Sequence, residues 1–266
     1  MFASVNNTEE NMEALNTPTG LAKLRKAGDT KRPPPIVTVY GTAGVGKSTF
    51  GANMPTPLFL DVEGGLGGLA VDSIRVESFG DVIQTLKDLH ADQHGYKTLV
   101  IDTLDAFEPL LWAEASRRNG WSNIEEAGYG KGYIAAAELW RTQVIAGVQS
   151  LRDRHGMSIL LLAHHQIRQF QSPTHETFDR YQLRLHKAAA DLVVEFSDIV
   201  GFAHHDVRIK KETGGFNRTR ARAIGDGSRI LALEERPAAV AKNRFSMPAE
   251  IEFSAEAFLS ALTKKD

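Results

Sequence analysis

Residues Gly41-Thr42-Ala43-Gly44-Val45-Gly46-Lys47-Ser48 spell the pattern G-x-x-x-x-G-K-[ST]. Glycines at these spacings let the backbone curl until successive N–H groups converge on phosphate oxygens. A helix starting near Lys47 adds the partial positive charge of its N-terminus at the same point. In such a loop Lys47 reaches the β- and γ-phosphates and Ser48 holds Mg²⁺ through its hydroxyl. The nucleotide-contacting candidates are therefore Gly41, Thr42, Ala43, Gly44, Val45, Gly46, Lys47, Ser48 and Thr49. Two carboxylates belong to the same chemistry. Asp102 ends the apolar run Thr98-Leu-Val-Ile-Asp102, where a buried charge is costly unless a cation waits for it, so Asp102 and Ser48 are the metal candidates. Glu63 follows the run Leu58-Phe-Leu-Asp-Val62 and is placed to orient and deprotonate an attacking water. Asp61 competes with it, because alternation aims both to one side.

These residues need strands that end side by side. From Ile36 onward, apolar strand-like runs alternate with helical patterns, which is the sign of a mostly parallel α/β sheet flanked by helices. The strand candidates are Ile36–Tyr40, Leu58–Val62, Thr98–Ile101, Ser158–Ala163 and Asp198–Phe202. Val82, Ile83, Leu86 and Leu89 share one helical face, as do Ala137, Trp140, Val144, Val148 and Leu151. After about residue 204 the texture changes to short β-like pieces, and a last helix is expected at about 255–263. Residues 1–32 read as a flexible arm before Pro33-Pro34-Pro35, and 33–266 as one domain with a C-terminal β extension.

With 31 Lys+Arg against 33 Asp+Glu the formal charge is −2, which argues against a wholly basic nucleic-acid binder while leaving room for a local basic groove. Zero cysteines removes disulfides, thiolate metal sites and cysteine nucleophiles, and fits a reducing cytoplasmic setting. No apolar run approaches the length of a membrane span and the N-terminus lacks a signal-peptide pattern, so no membrane partner is expected.

The order phosphate-loop helix, Asp-x-Glu strand end and apolar strand ending in Asp resembles the RecA-like branch of P-loop ATPases. The run Ser158-Ile-Leu-Leu-Leu-Ala-His-His-Gln-Ile-Arg168 is similar to the strand of that branch whose polar tip senses the γ-phosphate. Matching the strand end favours His164, whereas matching Gln-Ile-Arg favours Gln166, with His165 between them. Ala241-Lys-Asn-Arg244 resembles a segment of hexameric helicases whose cations reach a neighbouring subunit's ATP site, which would make Lys242 and Arg244 trans-acting fingers. More narrowly, Asp61-Val-Glu-Gly-Gly65, Gly128-Tyr-Gly-Lys-Gly-Tyr133, Ala163-His164 and Phe178-Asp-Arg-Tyr181 resemble, in their shared order, phage-encoded RecA-like single-strand annealing ATPases. That resemblance implies a RecA-like core using ATP and Mg²⁺. It also implies a homo-oligomer (ring or filament) that binds single-stranded DNA in a bacterial host, with a single-strand-binding protein as a further partner.

In this layout two DNA-facing loops map to about 116–132 and 167–180. The first holds Arg117, Arg118, Tyr129, Lys131 and Tyr133, and the second Arg168, Phe170 and Arg180. Cations for phosphates and aromatic faces for bases are what a single strand requires. Residues 208–229 add seven cations and two carboxylates, net +5; this stretch is either a phosphate track or a solvated hairpin. The alternative functions are a ring-shaped DNA motor, a small-molecule kinase and an ATPase that contacts protein only.

Overall fold

The computed structural model describes residues 32–171, 176–206, 208–214, 218–224 and 227–264, and over 208–224 the backbone alone. The arm expected at 1–32 lies outside the described residues except for Arg32.

The chain from Pro34 forms one compact unit around a ten-stranded sheet. Its strands are β1 (Ile36–Gly41), β2 (Pro57–Asp61), β3 (Asp72–Arg75), β4 (Thr98–Asp102), β5 (Ser158–Phe170), β6 (Phe178–Leu183), β7 (Ile199–His205), β10 (Arg229–Ala232), β11 (Lys242–Asn243) and β12 (Glu250–Glu252). Six of them run parallel in the order β3-β2-β4-β5-β1-β7, and β10 and β12 extend the β7 edge antiparallel. This is the RecA-like P-loop core that the sequence resembles, with a C-terminal β extension. Strands β8 (Arg208–Gly214) and β9 (Arg218–Ile224) form a separate antiparallel hairpin.

The central strands are apolar along their whole length because both faces are covered. β1 is buried at all six positions and β4 at all five, the pattern of parallel strands between helix layers. On one face lie α1 (Lys47–Ala52) and α7 (Ala255–Thr263), which pack Phe50 and Phe258 against Val37, Val39 and Leu160. The other face is covered by α2 (Phe79–Ala91), α3 (Leu104–Asn119), α4 (Lys131–Leu139) and α6 (Lys187–Phe196). Helix α4 continues through a π turn at Trp140–Ile145 into α5 (Ala146–His155). A capping box between Ser78 and Asp81 starts α2, and Val82, Leu86 and Leu89 are its buried face.

Register brings the chemistry to one sheet edge: Gly41 lies opposite His164, and Asp61 opposite Asp102. The crevice beyond the carboxyl ends of parallel strands is where such sheets bind ligands. One strand departs from expectation. β5 does not stop at Ala163 but runs to Phe170, because β6 returns antiparallel and pairs His165 through Phe170. The loop expected at 167–180 is therefore largely a two-stranded ribbon.

Candidate nucleotide site

Between β1 and α1 the backbone turns through Gly46, whose φ of 99° is left-handed. A side chain there would be strained, and its Cβ would meet Arg229 Nη1 at 2.5 Å. At the start of the loop a Cβ on Gly41 would fall 2.1 Å from the Ala203 carbonyl oxygen, so both positions require glycine. Lys47 is 6% exposed, and its Nζ donates to the Thr42 carbonyl at 3.0 Å. Burial lowers its pKa, opposed by the pull of Asp102, Asp105 and Glu63. Ser48 Oγ donates to Asp102 Oδ2 at 2.6 Å. Burial raises the Asp102 carboxyl, opposed by that hydroxyl and by Lys47.

The pocket so formed, about 260 Å³, is lined by Gly44, Lys47, Ser48, Glu63, Asp102 and His164 among others. Two observations fit it to a metal-bound triphosphate. A serine hydroxyl and a carboxylate at 2.6 Å make the small, hard-oxygen donor set that Mg²⁺ shares with phosphates and water. Thr42 Oγ1, within the loop, is buried without a hydrogen-bond partner among the described residues, and a buried hydroxyl of this kind calls for one. Mg²⁺ held by Ser48 and Asp102 would neutralise charge on the β- and γ-phosphate oxygens.

The pocket separates the competing carboxylates. Asp61 accepts the Gly64 N–H at 2.7 Å and faces Arg75 at 3.6 Å, so it shapes the turn. Glu63 lies beyond the strand end, in the pocket, with Thr103 Oγ1 donating to it at 3.4 Å. The sensor alternatives separate as well. His164 lines the phosphate pocket. Gln166 donates to the Leu183 and Leu185 carbonyls at 2.6 and 3.2 Å, and its side chain holds the ribbon. His165 packs its ring against Tyr181 and Phe202. Gln166 lines a different cavity from His164, with its amide held by the Leu183 and Leu185 carbonyls.

Comparison with known proteins agrees with this geometry. Residues 34–245, most of the chain, match the family described as AAA domain. The chain belongs to that family. As an AAA domain it is a P-loop ATPase. It is also similar to the SPbeta prophage-derived uncharacterized protein YorG of Bacillus subtilis (strain 168), with 26% identity over 137 residues. That match covers 48% of this chain and 40% of the relative, so the chain spans well under two thirds of the relative's length. Among the described residues of the AAA domain protein no helix is long and apolar enough to cross a membrane.

The remaining candidates meet mixed fates. Lys242 Nζ donates to the Val194 and Glu195 carbonyls at 2.8 and 2.6 Å, closing the C-terminal end of α6 within its own subunit, and burial lowers its pKa. Arg244 keeps 55% of its side chain exposed and faces Asp198 at 3.6 Å. Arg117 and Arg118 are not on a loop; they form the last turn of α3 and both pair with Glu114, at 2.8 and 2.7 Å. Tyr133 stacks face to face on His186, with centroids 4.0 Å apart, and donates to Glu125. Arg180 is buried, pairs with Glu235 at 2.5 Å and covers the Phe170 ring. By contrast Tyr129 is fully exposed at φ 48°, Lys131 is exposed at the start of α4, and Arg168 is exposed on the ribbon.

Sequence reasoning missed Asp105, Arg184 and Glu108. Asp105 Oδ1 accepts the His164 backbone N–H at 2.8 Å, and its Oδ2 lies 3.1 Å from His164 Nδ1. Arg184 closes the group by an ion pair with the same carboxylate. Burial tends to raise the Asp105 carboxyl, but the hydrogen bonds from His164 and Arg184 outweigh it and hold it well below the usual range. Nδ1 is thereby occupied and Nε2 is the imidazole nitrogen left for a ligand. The only local signal was a second carboxylate three residues after Asp102, and nothing in the chain ties it to a histidine 59 residues away.

Proposed function

We propose that this AAA domain protein is an ATP-dependent, single-stranded-DNA-binding recombination protein that anneals or pairs strands as a homo-oligomer. The observation that carries the reading is the continuity of β5. The same thirteen-residue strand bears His164 at the phosphate pocket and, four residues on along the same face, Arg168 in the exposed ribbon. A rigid strand linking phosphate contacts to a surface cation gives nucleotide state a physical route to that surface. Ile167, next to Arg168, is exposed, and on the segment before α4 Tyr129 is fully exposed, two residues ahead of the exposed Lys131. Hydrophobic and aromatic faces interleaved with cations are the chemistry that grips a single strand. In β9, Arg218, Arg220 and Arg222 occupy alternate positions, opposite Gly214, Glu212 and Lys210, an arrangement that suits a phosphate track.

In this reading Glu63 orients and deprotonates water, Lys47 and His164 stabilise the phosphoryl charge, and Arg244 serves a neighbouring subunit's site. The prophage relative is in keeping with a phage setting, and a host single-strand-binding protein is the partner this reading calls for. The test is ATP turnover with and without single-stranded DNA across a salt series, with mass followed by light scattering. We expect stimulation that fades with salt in large assemblies, and Tyr129→Ala to weaken DNA affinity by about 5- to 100-fold, the worth of one stacked base. A monomer whose turnover ignores DNA would leave an ATPase of another kind.

A further inference from the structure

The phosphate loop is gripped from outside by a side chain that belongs to no part of its motif. Arg229, the first residue of β10, reaches back across 184 positions of sequence, and its Nη1 donates to the Val45 carbonyl at 3.2 Å. The approach is close, since a Cβ on Gly46 would lie 2.5 Å from the same nitrogen. We infer that Arg229 is a positioning residue of the nucleotide site: by holding the Val45 carbonyl it turns the Gly46 N–H toward the phosphates without touching them itself. The inference rests on the reading of the phosphate pocket given above and concerns how its loop is held.

The geometry of one peptide unit carries the argument. The Val45–Gly46 bond is trans, so its C=O and N–H point to opposite sides. Arg229 takes the carbonyl side, while Gly46 lines the phosphate pocket, which leaves the N–H aimed inward. Gly46 stands at φ 99°, and a peptide plane next to a glycine turns more easily than any other. A clamp on the carbonyl removes that freedom before the ligand arrives, so less ordering opposes binding. A cationic donor on the carbonyl also polarises the amide and strengthens its N–H as a donor. The clamp has a rigid base. Arg229 pairs with His205 of β7 on one side, and its own carbonyl accepts the Phe253 N–H at 2.9 Å on the other. The guanidinium is therefore delivered from a fixed strand. Arg229 lines the groove outside Gly46, whereas Lys47 lines the phosphate pocket, so the two cations have separate tasks.

Mg·tripolyphosphate, which carries the phosphates without a base, is the probe, with Mg·ATP beside it and both affinities read by calorimetry. Arg229→Met keeps the stem and removes the donors. It should weaken tripolyphosphate binding by about 2- to 10-fold, the worth of one hydrogen bond. In the ligand-free protein the amides of the phosphate loop should exchange with deuterium faster by a similar factor, while the urea midpoint stays near that of wild type. Arg229→Lys, which restores a cationic donor, should recover most of both. Arg229→Gln, too short to reach the carbonyl, repeats the test should methionine disturb the fold. Tripolyphosphate affinity unchanged in the methionine and glutamine variants, or a loss confined to ATP, overturns the inference. A loss of affinity with loop exchange unmoved points to direct contact with the phosphates and overturns it as well. Wild-type protein that binds neither ligand overturns the phosphate reading itself.

Discussion

Two polar cavities lie on either side of His164 and are built in opposite ways. The phosphate pocket takes its groups from a short contiguous loop and two strand ends, and it holds them sparingly. Ser48 meets Asp102, Lys47 leans on a loop carbonyl, and Thr42 Oγ1, in the loop itself, has no hydrogen-bond partner among the described residues. The cavity behind His164, about 340 Å³, is lined by Asp105, Glu108, Trp112, Arg168, Arg184 and His186 among others. There two of the charges are already answered from within, Arg184 by Asp105 and Glu108 by the His186 N–H at 3.0 Å, while Arg168 reaches the Leu185 carbonyl at 3.2 Å and stays exposed on its outer side. Groups left under-satisfied are poised for a ligand, whereas groups that satisfy one another hold a shape. The first cavity is therefore read as the place of chemistry, and the second as the scaffold that aims His164 into it.

The largest effect separates two carboxylates at the edge of the first cavity. Glu63→Gln should keep ATP affinity and lower turnover by about 10²- to 10⁴-fold, the usual worth of a general base. Asp61→Asn, whose side chain meets the turn at Gly64 and Arg75, should stay within a few-fold. Comparable losses in single-turnover assays of the two would break the distinction between base and turn residue.

Next comes the strand shared by both cavities. His164→Ala should slow turnover by about 10²-fold, in the range for losing one preorganised donor, while Gln166→Ala should leave chemistry intact. Asp105→Asn should change the tautomer balance of His164 in ¹⁵N NMR and shift the pH profile of turnover without matching loss of ATP binding. A silent His164→Ala would return the sensor role to another residue.

The smallest effect belongs to the scaffold. Burial pushes the Glu108 carboxyl from 4.5 up to about 7, against the pull of the His186 N–H and Arg168. Between those values the unfolded chain gives up its proton while the folded chain keeps it, so stability falls as pH rises from about 4.5 to about 7. A shift of this size is worth about 3 kcal/mol. Urea midpoints at pH 5 and pH 8 should show that slope in wild type and lose it in Glu108→Gln. An identical slope in the variant would place the titration elsewhere.

The phosphate loop, Asp102, Glu63, the alternating strands and the last helix were legible in the sequence, since each is a local pattern: a turn that needs glycine, a run that needs burial on both faces, a charge at the end of a strand. The extension of β5 was not, because it depends on β6 returning to pair with it, and a polar tip gives no sign of a ladder beyond. Arg117 and Arg118 carried the composition of a nucleic-acid loop, yet helix α3 runs to Asn119 and hands them to Glu114. The placing of His164 at the phosphate pocket and the Asp105–Arg184 support behind it join residues far apart in the chain. Local propensity and spacing act over a few residues and fix what a segment can do. Which distant segment answers it is decided by strand register and side-chain packing, and these exist only once the sheet has formed.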